Sequence, residues 1–112
     1  MINVNHNTWW IDSVSTNHVS NTLQGTKNLR RPMGSDQYIY SGSKMTSHVE
    51  AVGTCSLVLS SGFILHLEKT FYVPSFSKNL ISISRLAPLG FYFNFLNSGF
   101  TLSNKYEIVG FW

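Results

Sequence analysis

The chain contains two aspartates, and one of them directly follows a strongly apolar segment. Asp12 comes after Trp9–Ile11, whereas Asp36 lies in a Gly-Ser-Asp sequence that is typical of turns. A carboxylate that leaves a buried strand for a loop rich in Ser and Thr is partly desolvated and hydrogen-bonded, which suits acid–base catalysis. The same residue types also form ordinary Asx turns, so a purely structural role for Asp12 stays open.

Four histidines and one cysteine are the other candidate ligands or nucleophiles: His6, His18, His48, His66 and Cys55. No pair of them has the close Cys/His spacing of a structural zinc site, so we expect no metal and no cofactor. A single cysteine cannot form an intrachain disulfide, so a reducing compartment is favoured. We expect Cys55 to be a small residue of the core. The chain also lacks the Gly-x-Ser-x-Gly elbow of serine hydrolases.

The composition favours one small β domain. Hydrophobic residues make up 43% of the 112 residues and charged residues only 12%, with 16 Ser and 10 Asn. An average globular protein has about 25% charged residues, and disordered tails and coiled coils need more charge than this chain carries. The net charge of +3 is thinly spread, and Arg30-Arg31 is the only adjacent basic pair. Nucleic-acid binding is therefore not favoured, although a basic β-barrel would remain an alternative if Lys and Arg converged on one face.

The elements that must position Asp12 are predicted to be short strands joined by turns. Residues 1–7 are Asn-rich and unpatterned, and we expect a disordered leader before a domain over residues 8–112. Phe63, Leu65 and Leu67 alternate with Ile64, His66 and Glu68, which is the period of a strand with one buried face. Gly53 interrupts an apolar strand and suits a bulge or a close backbone approach. Turn signals every ~8 to 12 residues indicate an all-β barrel or sandwich.

One short helix is predicted over residues 79–89, with Ser82 as its N-cap and Gly90 just past its end. Pro88 limits it to about two turns. The longest apolar stretch, Leu86 to Leu96, is broken by polar and helix-breaking residues and falls short of the ~20 residues of a membrane-spanning helix. We therefore expect no contact with a membrane.

Three segments, taken together, resemble the protease of copia-type LTR retrotransposon Pol polyproteins. The first, Trp9–Val19, reads Trp-Trp-Ile-Asp-Ser-Val-Ser-Thr-Asn-His-Val, where the family has Trp, an apolar pair, Asp-Ser-Gly-Ala-Ser/Thr, a variable residue, His and an apolar residue. The second, Val49–Thr54, is similar to the strand after the family's flap. The third, Phe71–Leu86, resembles its Leu-Tyr-Val-Pro-x-Leu-x-x-Asn-Leu-Leu-Ser-Val-Ser-x-Leu stretch. The resemblance covers Trp9 to about Gly110.

The resemblance implies a small closed retropepsin-like β-barrel that works as a homodimer, in a fragment of a larger polyprotein. Each subunit of such a protease supplies one aspartate. Two carboxylates about 3 Å apart share a proton, and one acts as base on a water while the other donates to the scissile carbonyl. By resemblance, Asp12 is the catalytic residue and Ser13 bridges the paired loops. Val14 and Ser15 would contact the substrate, as would Gly42, Ser43 and Lys44 near the tip of a flap formed by Tyr38–Val52.

Two departures from the family pattern predict an aspartic endopeptidase of low or absent activity. Val14 replaces a glycine beside the paired aspartates, where a β-branched side chain adds bulk and disfavours some backbone dihedrals. Ser15 replaces alanine and adds a hydroxyl that needs a partner. The flap tip also differs, since the family has Gly-Asn/Asp-Gly there.

The expected substrate is the element's own polyprotein, and the expected location is the cytoplasm, within a virus-like particle in an active element. A catalytically inactive β-barrel retained as a structural or dimerisation module is the alternative.

Overall fold

Short strands dominate the computed structural model, which describes residues 2–5, 9–40 and 46–112. The strands are β1 (Ile2–Asn5), β2 (Trp9–Asp12), β3 (Val19–Ser20), β4 (Thr26–Arg30), β5 (Tyr38–Tyr40), β6 (Thr46–His48), β7 (Ala51–Val58), β8 (Ile64–Tyr72), β9 (Asn79–Ser82), β10 (Phe91–Leu96), β11 (Gly99–Asn104) and β12 (Glu107–Phe111). A 3₁₀ turn covers Gly34–Gln37, and the α-helix α1 (Ile83–Leu86) continues into a 3₁₀ turn over Ala87–Leu89. The mostly-β class with one short helix is confirmed.

Seven strands form the main sheet, in the order β1-β2-β9-β3-β8-β7-β4. The pairs β2/β9 and β3/β8 are parallel, and the other pairs are antiparallel. Strands β5 and β6 make a separate hairpin, and β10, β11 and β12 form a three-stranded meander. Among the described residues the main sheet keeps two edges, β1 and β4, so the closed barrel expected from the resemblance is not found.

Strand β2 runs between two hydrophobic clusters. Trp9 and Ile11 are buried in the larger cluster, together with Leu65, Leu67 and other apolar side chains from β7 to β12. Trp10 points the other way and packs against the smaller cluster. Successive side chains of a strand alternate between its two faces, so a Trp-Trp-Ile run has apolar contacts on both sides. This packing fixes the end of the strand, which is Asp12.

Gly53 allows strands β7 and β4 to approach closely. A Cβ atom at this position would lie 2.7 Å from the carbonyl oxygen of Lys27 in β4. The pairing of β7 shifts register here on both sides, against β4 and against β8, and Lys69 in β8 has a positive φ of 53°. The bulge and close approach predicted for Gly53 are therefore confirmed.

The predicted helix over residues 79–89 is correct only in its second half. Asn79–Ser82 is strand β9, all four of its residues are buried, and it pairs in parallel with β2. A helix would leave β2 without this partner, and the backbone groups of a buried strand need one. Ser82 precedes α1 but makes no side-chain cap hydrogen bond, whereas Gly90 ends the 3₁₀ turn at a φ of 87°, as predicted.

The leader expected over residues 1–7 contains a strand. Ile2–Asn5 pairs with β2 in antiparallel register, and Ile2 faces Ile11. The polar composition that predicts disorder does not prevent backbone hydrogen bonding along the open edge of β2. No helix in the described part of the chain is long and apolar enough to cross a membrane.

Candidate functional site

Asp12 ends β2 and lies opposite Ser82 in the parallel β2/β9 pair. Its carboxylate oxygen Oδ1 accepts hydrogen bonds from two backbone N–H groups of its own loop, those of Val14 at 2.9 Å and Ser15 at 3.3 Å. This is the Asx-turn geometry that the sequence allows. The turn holds the carboxylate at the end of a buried strand. An ordinary Asx turn accounts for this position, and a catalytic carboxylate would use the same one.

The ion pairs of the described residues involve the other aspartate. Asp36 lies 3.5 Å from the Arg30 guanidinium and 3.6 Å from the Lys69 ammonium. Asp12 has no such partner among the described lysines and arginines, and its described donors are neutral backbone groups. The two carboxylates therefore differ in the kind of donor that they contact, cationic side chains for Asp36 and neutral backbone N–H groups for Asp12.

Ser13 and Val14 lie on the open side of the loop. Both are exposed, and the Val14 side chain keeps 85% of its surface accessible. Val14 is not among the described residues with positive φ, so the unfavourable dihedrals anticipated for a valine in place of glycine do not occur. Its three extra carbons instead project from the loop beside the Asp12 carboxylate.

The Ser15 hydroxyl, which the sequence predicts to need a partner, is hydrogen-bonded. Its Oγ donates to the carbonyl oxygen of Asn17 at 2.6 Å, within the same loop. The Ser15 carbonyl oxygen in turn accepts a hydrogen bond from the Ser82 hydroxyl at 2.6 Å. The loop after β2 is thereby attached to the end of β9.

His18 makes a second attachment between this loop and β9. It is 2% exposed, and its Nδ1 accepts a hydrogen bond from the Ser82 backbone N–H at 3.0 Å. Burial, assisted by the nearby Arg85 guanidinium, lowers the pKa of His18 from 6.5 to about 4. His18 is therefore neutral at pH 7, with its proton on Nε2.

A groove of about 340 Å³ opens beside Asp12. It runs from the loop after β2 to the flap strand β5 and is lined by Asp12, Val14, Ser15, Thr16, Asn17, Val19, Ile39, Tyr40, Phe76 and Leu80. A second groove of about 360 Å³ shares four of these lining residues and extends to Asp36 and Lys69. The two grooves thus meet at β5, where Tyr40 lines both of them and is 78% exposed.

The flap is a hairpin in which Tyr38 pairs with His48, and their rings meet edge to face at 5.7 Å. Its predicted tip residues, Gly42, Ser43 and Lys44, lie outside the described residues. Of the predicted site residues, Asp12, Val14 and Ser15 line one groove, and Ser13 is exposed beside them.

Cys55 lies in the larger core cluster at 1% exposure, the small core residue that the sequence predicts. Burial raises the pKa of its thiol, which opposes the reactive thiolate form. Among the described residues, no three His, Cys, Asp or Glu side chains are grouped as they would be around a metal ion.

Sequence reasoning missed the hydrogen bond between His18 and Ser82. The sequence presents His18 as one of four scattered histidines and Ser82 as a helix cap. Their contact joins residues 64 positions apart, so no local pattern reveals it. The sequence does indicate their importance by position, because His18 belongs to the same motif as Asp12 and Ser82 belongs to the segment Phe71–Leu86, which resembles the family.

Comparison with known proteins gives two matches. The family model described as "Pol polyprotein, beta-barrel domain" matches residues 9–91, which include β2, the loop after it, the flap and β9. The chain is 38% identical over 84 residues to a retrovirus-related Pol polyprotein from transposon RE2 of Arabidopsis thaliana. That alignment covers 73% of this chain and 6% of the relative. No solved structure matches the chain. The chain belongs to the Pol polyprotein β-barrel domain family.

Proposed function

We propose that this domain is an aspartic endopeptidase of the retropepsin type, from a copia-type element, that acts as a homodimer on its own polyprotein. The observation that carries the proposal is the position of Asp12. Its carboxylate ends a buried strand, has neutral backbone donors, and lines a groove beneath a flap strand. An extended peptide laid in such a groove would pass over the carboxylate.

A retropepsin-type reaction uses a second aspartate, and in this proposal another copy of the chain supplies it. The only other aspartate, Asp36, is bound to two cations in the neighbouring groove. A twofold axis beside the loop would bring two Asp12 side chains together, one from each copy. The shared proton then lets one carboxylate activate a water while the other protonates the scissile carbonyl.

Val14 supports impaired activity. The exposed valine projects into the groove, where a substrate backbone and the partner loop would both need space. The same observation favours a second function, a catalytically inactive β-barrel retained as a structural or dimerisation module. Both functions use the fold of the family, and they differ in whether the loop can accept a peptide.

The test compares four proteins: wild type, Val14→Gly, Asp12→Asn and the double variant. Cleavage of labelled casein and of a peptide library is measured by mass spectrometry, and association by sedimentation velocity. We expect little cleavage by wild type, an increase of about tenfold or more in Val14→Gly, and none in the double variant.

Each outcome decides between the impaired protease and the inactive β-barrel module. Dimers that cleave nothing, even with Val14→Gly, would overturn the protease and support the inactive module. Cleavage that survives Asp12→Asn would overturn the assignment of the catalytic residue. Strong cleavage by wild type that Asp12→Asn abolishes would retain the protease and overturn its impairment by Val14.

A further inference from the structure

The strongest unassigned feature is a chain of three buried or half-buried residues, His18, Ser82 and Ser15, behind the Asp12 carboxylate. It begins at His18, which is almost fully buried and whose Nδ1 accepts the Ser82 N–H. An imidazole can accept a hydrogen bond at Nδ1 only when that nitrogen carries no proton. The contact therefore requires the neutral Nε2–H form of His18.

Ser82 carries the chain from β9 to the loop after β2. Its side chain is fully buried, and its Oγ donates to the Ser15 carbonyl oxygen at 2.6 Å. The Ser82 hydroxyl has one proton, so the 2.9 Å contact between Ser82 Oγ and Ser84 Oγ must have Ser84 as donor. The direction of each hydrogen bond is thus fixed from Ser84 through Ser82 to Ser15.

Ser15 connects this network to the carboxylate. Its carbonyl oxygen is bound to Ser82, and its N–H is one of the two donors to Asp12 Oδ1. The Ser15 N–H and the Ser15 carbonyl lie in adjacent planar peptide groups, which are joined only by the two soft dihedrals of Ser15. Fixing the Ser15 carbonyl therefore limits where the donors of Val14 and Ser15 can point.

We propose that His18 is a positioning residue for Asp12, acting through Ser82 and Ser15 and touching neither substrate nor the reacting atoms. The proposal rests on the function proposed for Asp12, since it assigns the part that holds that carboxylate in place. A histidine that only filled space would need no acceptor at Nδ1. Its low pKa agrees with the geometry, because the neutral form is the one that accepts the Ser82 N–H.

The experiment uses the two aspartates of the chain. Aspartate labelled with ¹³C at the carboxyl carbon gives two signals, Asp12 and Asp36, and Asp36 serves as the internal reference. The variants are His18→Leu, which removes the acceptor, and His18→Asn, whose amide oxygen lies near the position of Nδ1. His66→Leu is the matched control, because His66 is exposed and contacts Ser56 instead.

We expect His18→Leu to shift the Asp12 carboxyl signal while Asp36 stays in place, and to accelerate amide hydrogen exchange at Ser15 about tenfold or more. His18→Asn should restore both towards wild type, and His66→Leu should change neither. Identical Asp12 signals and Ser15 exchange in wild type and folded His18→Leu would overturn the proposal. So would equal effects in His18→Leu and His18→Asn, since packing alone would explain them.

A second variant keeps the test decisive if His18→Leu does not fold. Ser82→Ala keeps the backbone N–H that His18 accepts and removes only the hydroxyl that holds Ser15. The same two changes are expected, and their absence would overturn the proposal. Neither readout depends on cleavage, so a positioned Asp12 in a chain that cleaves nothing would leave this inference standing while the proposed protease failed.

Discussion

Asp12 and Asp36 lie along neighbouring grooves that share part of their lining, yet their carboxylates are held by different kinds of donor. Asp12 is bound by the backbone N–H groups of its own loop. Asp36 is bound by two cationic side chains, Arg30 and Lys69, which are themselves about half exposed.

The difference lies in the charge of the donors. Backbone N–H groups orient the Asp12 carboxylate without a counter-ion, whereas Asp36 is held by two partly exposed ion pairs, and such pairs add little stability. Three predictions test this comparison.

The largest expected effect is a loss of stability at acid pH, because the Asp12 loop is attached to β9 through a buried neutral histidine, His18. The pKa of His18 is about 4 in the folded chain against 6.5 for an ordinary histidine, so the unfolded chain binds more protons between these values. Its contribution to the free energy of unfolding is complete above pH 6.5 and is lost as the pH falls towards 4, by about 3 kcal/mol. Arg85, His66 and Glu68 line the same groove as His18, and of these the Arg85 guanidinium adds to the lowering of the His18 pKa by burial.

Urea unfolding at several pH values measures the loss, with His18→Asn as the control that cannot titrate. The wild type should lose stability more steeply than His18→Asn between pH 6.5 and 4. Parallel pH curves for the two proteins would contradict the buried neutral state of His18.

The second prediction removes the carboxylate of Asp12. Asp12→Ala leaves the N–H groups of Val14 and Ser15 without their acceptor, which should lower the free energy of unfolding by about 1 kcal/mol. Asp12→Asn retains an oxygen acceptor and should lower the free energy of unfolding by only a few tenths of a kcal/mol, because Asn and Asp are about equally good acceptors in such turns. Because the donors are neutral, the loss should change little in about 1 M NaCl. Equal losses in the two variants would show that the carboxylate charge, rather than its acceptor oxygen, stabilises the loop.

The smallest effect is expected at the other aspartate. Asp36→Ala removes two surface ion pairs, and such pairs contribute about 0 to 1 kcal/mol each. The loss should disappear in about 1 M NaCl, where exposed charges are screened. Thermal unfolding of the wild type and Asp36→Ala at low and high salt measures it. A loss that persists at high salt would erase the contrast with Asp12.

Local patterns predicted the elements that local contacts make. The alternation over β8 and the turn at residues 60–62 produce the β7/β8 hairpin, in which Leu59 and Phe63 bond across the turn. Gly53 lies at the bulge because a side chain at this position would collide with the neighbouring backbone. Asp12 was identified by its place after an apolar strand and by the motif around it.

The features that sequence missed depend on partners far along the chain. Residues 79–82 were predicted to be helical, and only their pairing with β2 makes them a strand. Ile2–Asn5 has the composition of a disordered segment, and the edge of β2 provides its hydrogen bonds. His18 acquires its role from Ser82, which no spacing rule connects to it.

The bond between Ser82 and Ser15 joins residues 67 positions apart and has a consequence for timing. Contacts of large sequence separation form late, because the chain between them must first be ordered. During synthesis the Asp12 loop emerges long before β9, and domains fold as units once their chain is available. The loop that carries Asp12 is therefore attached only after β9 has been synthesised, 67 positions later, and a piece of the chain that ended before Ser82 would lack this attachment.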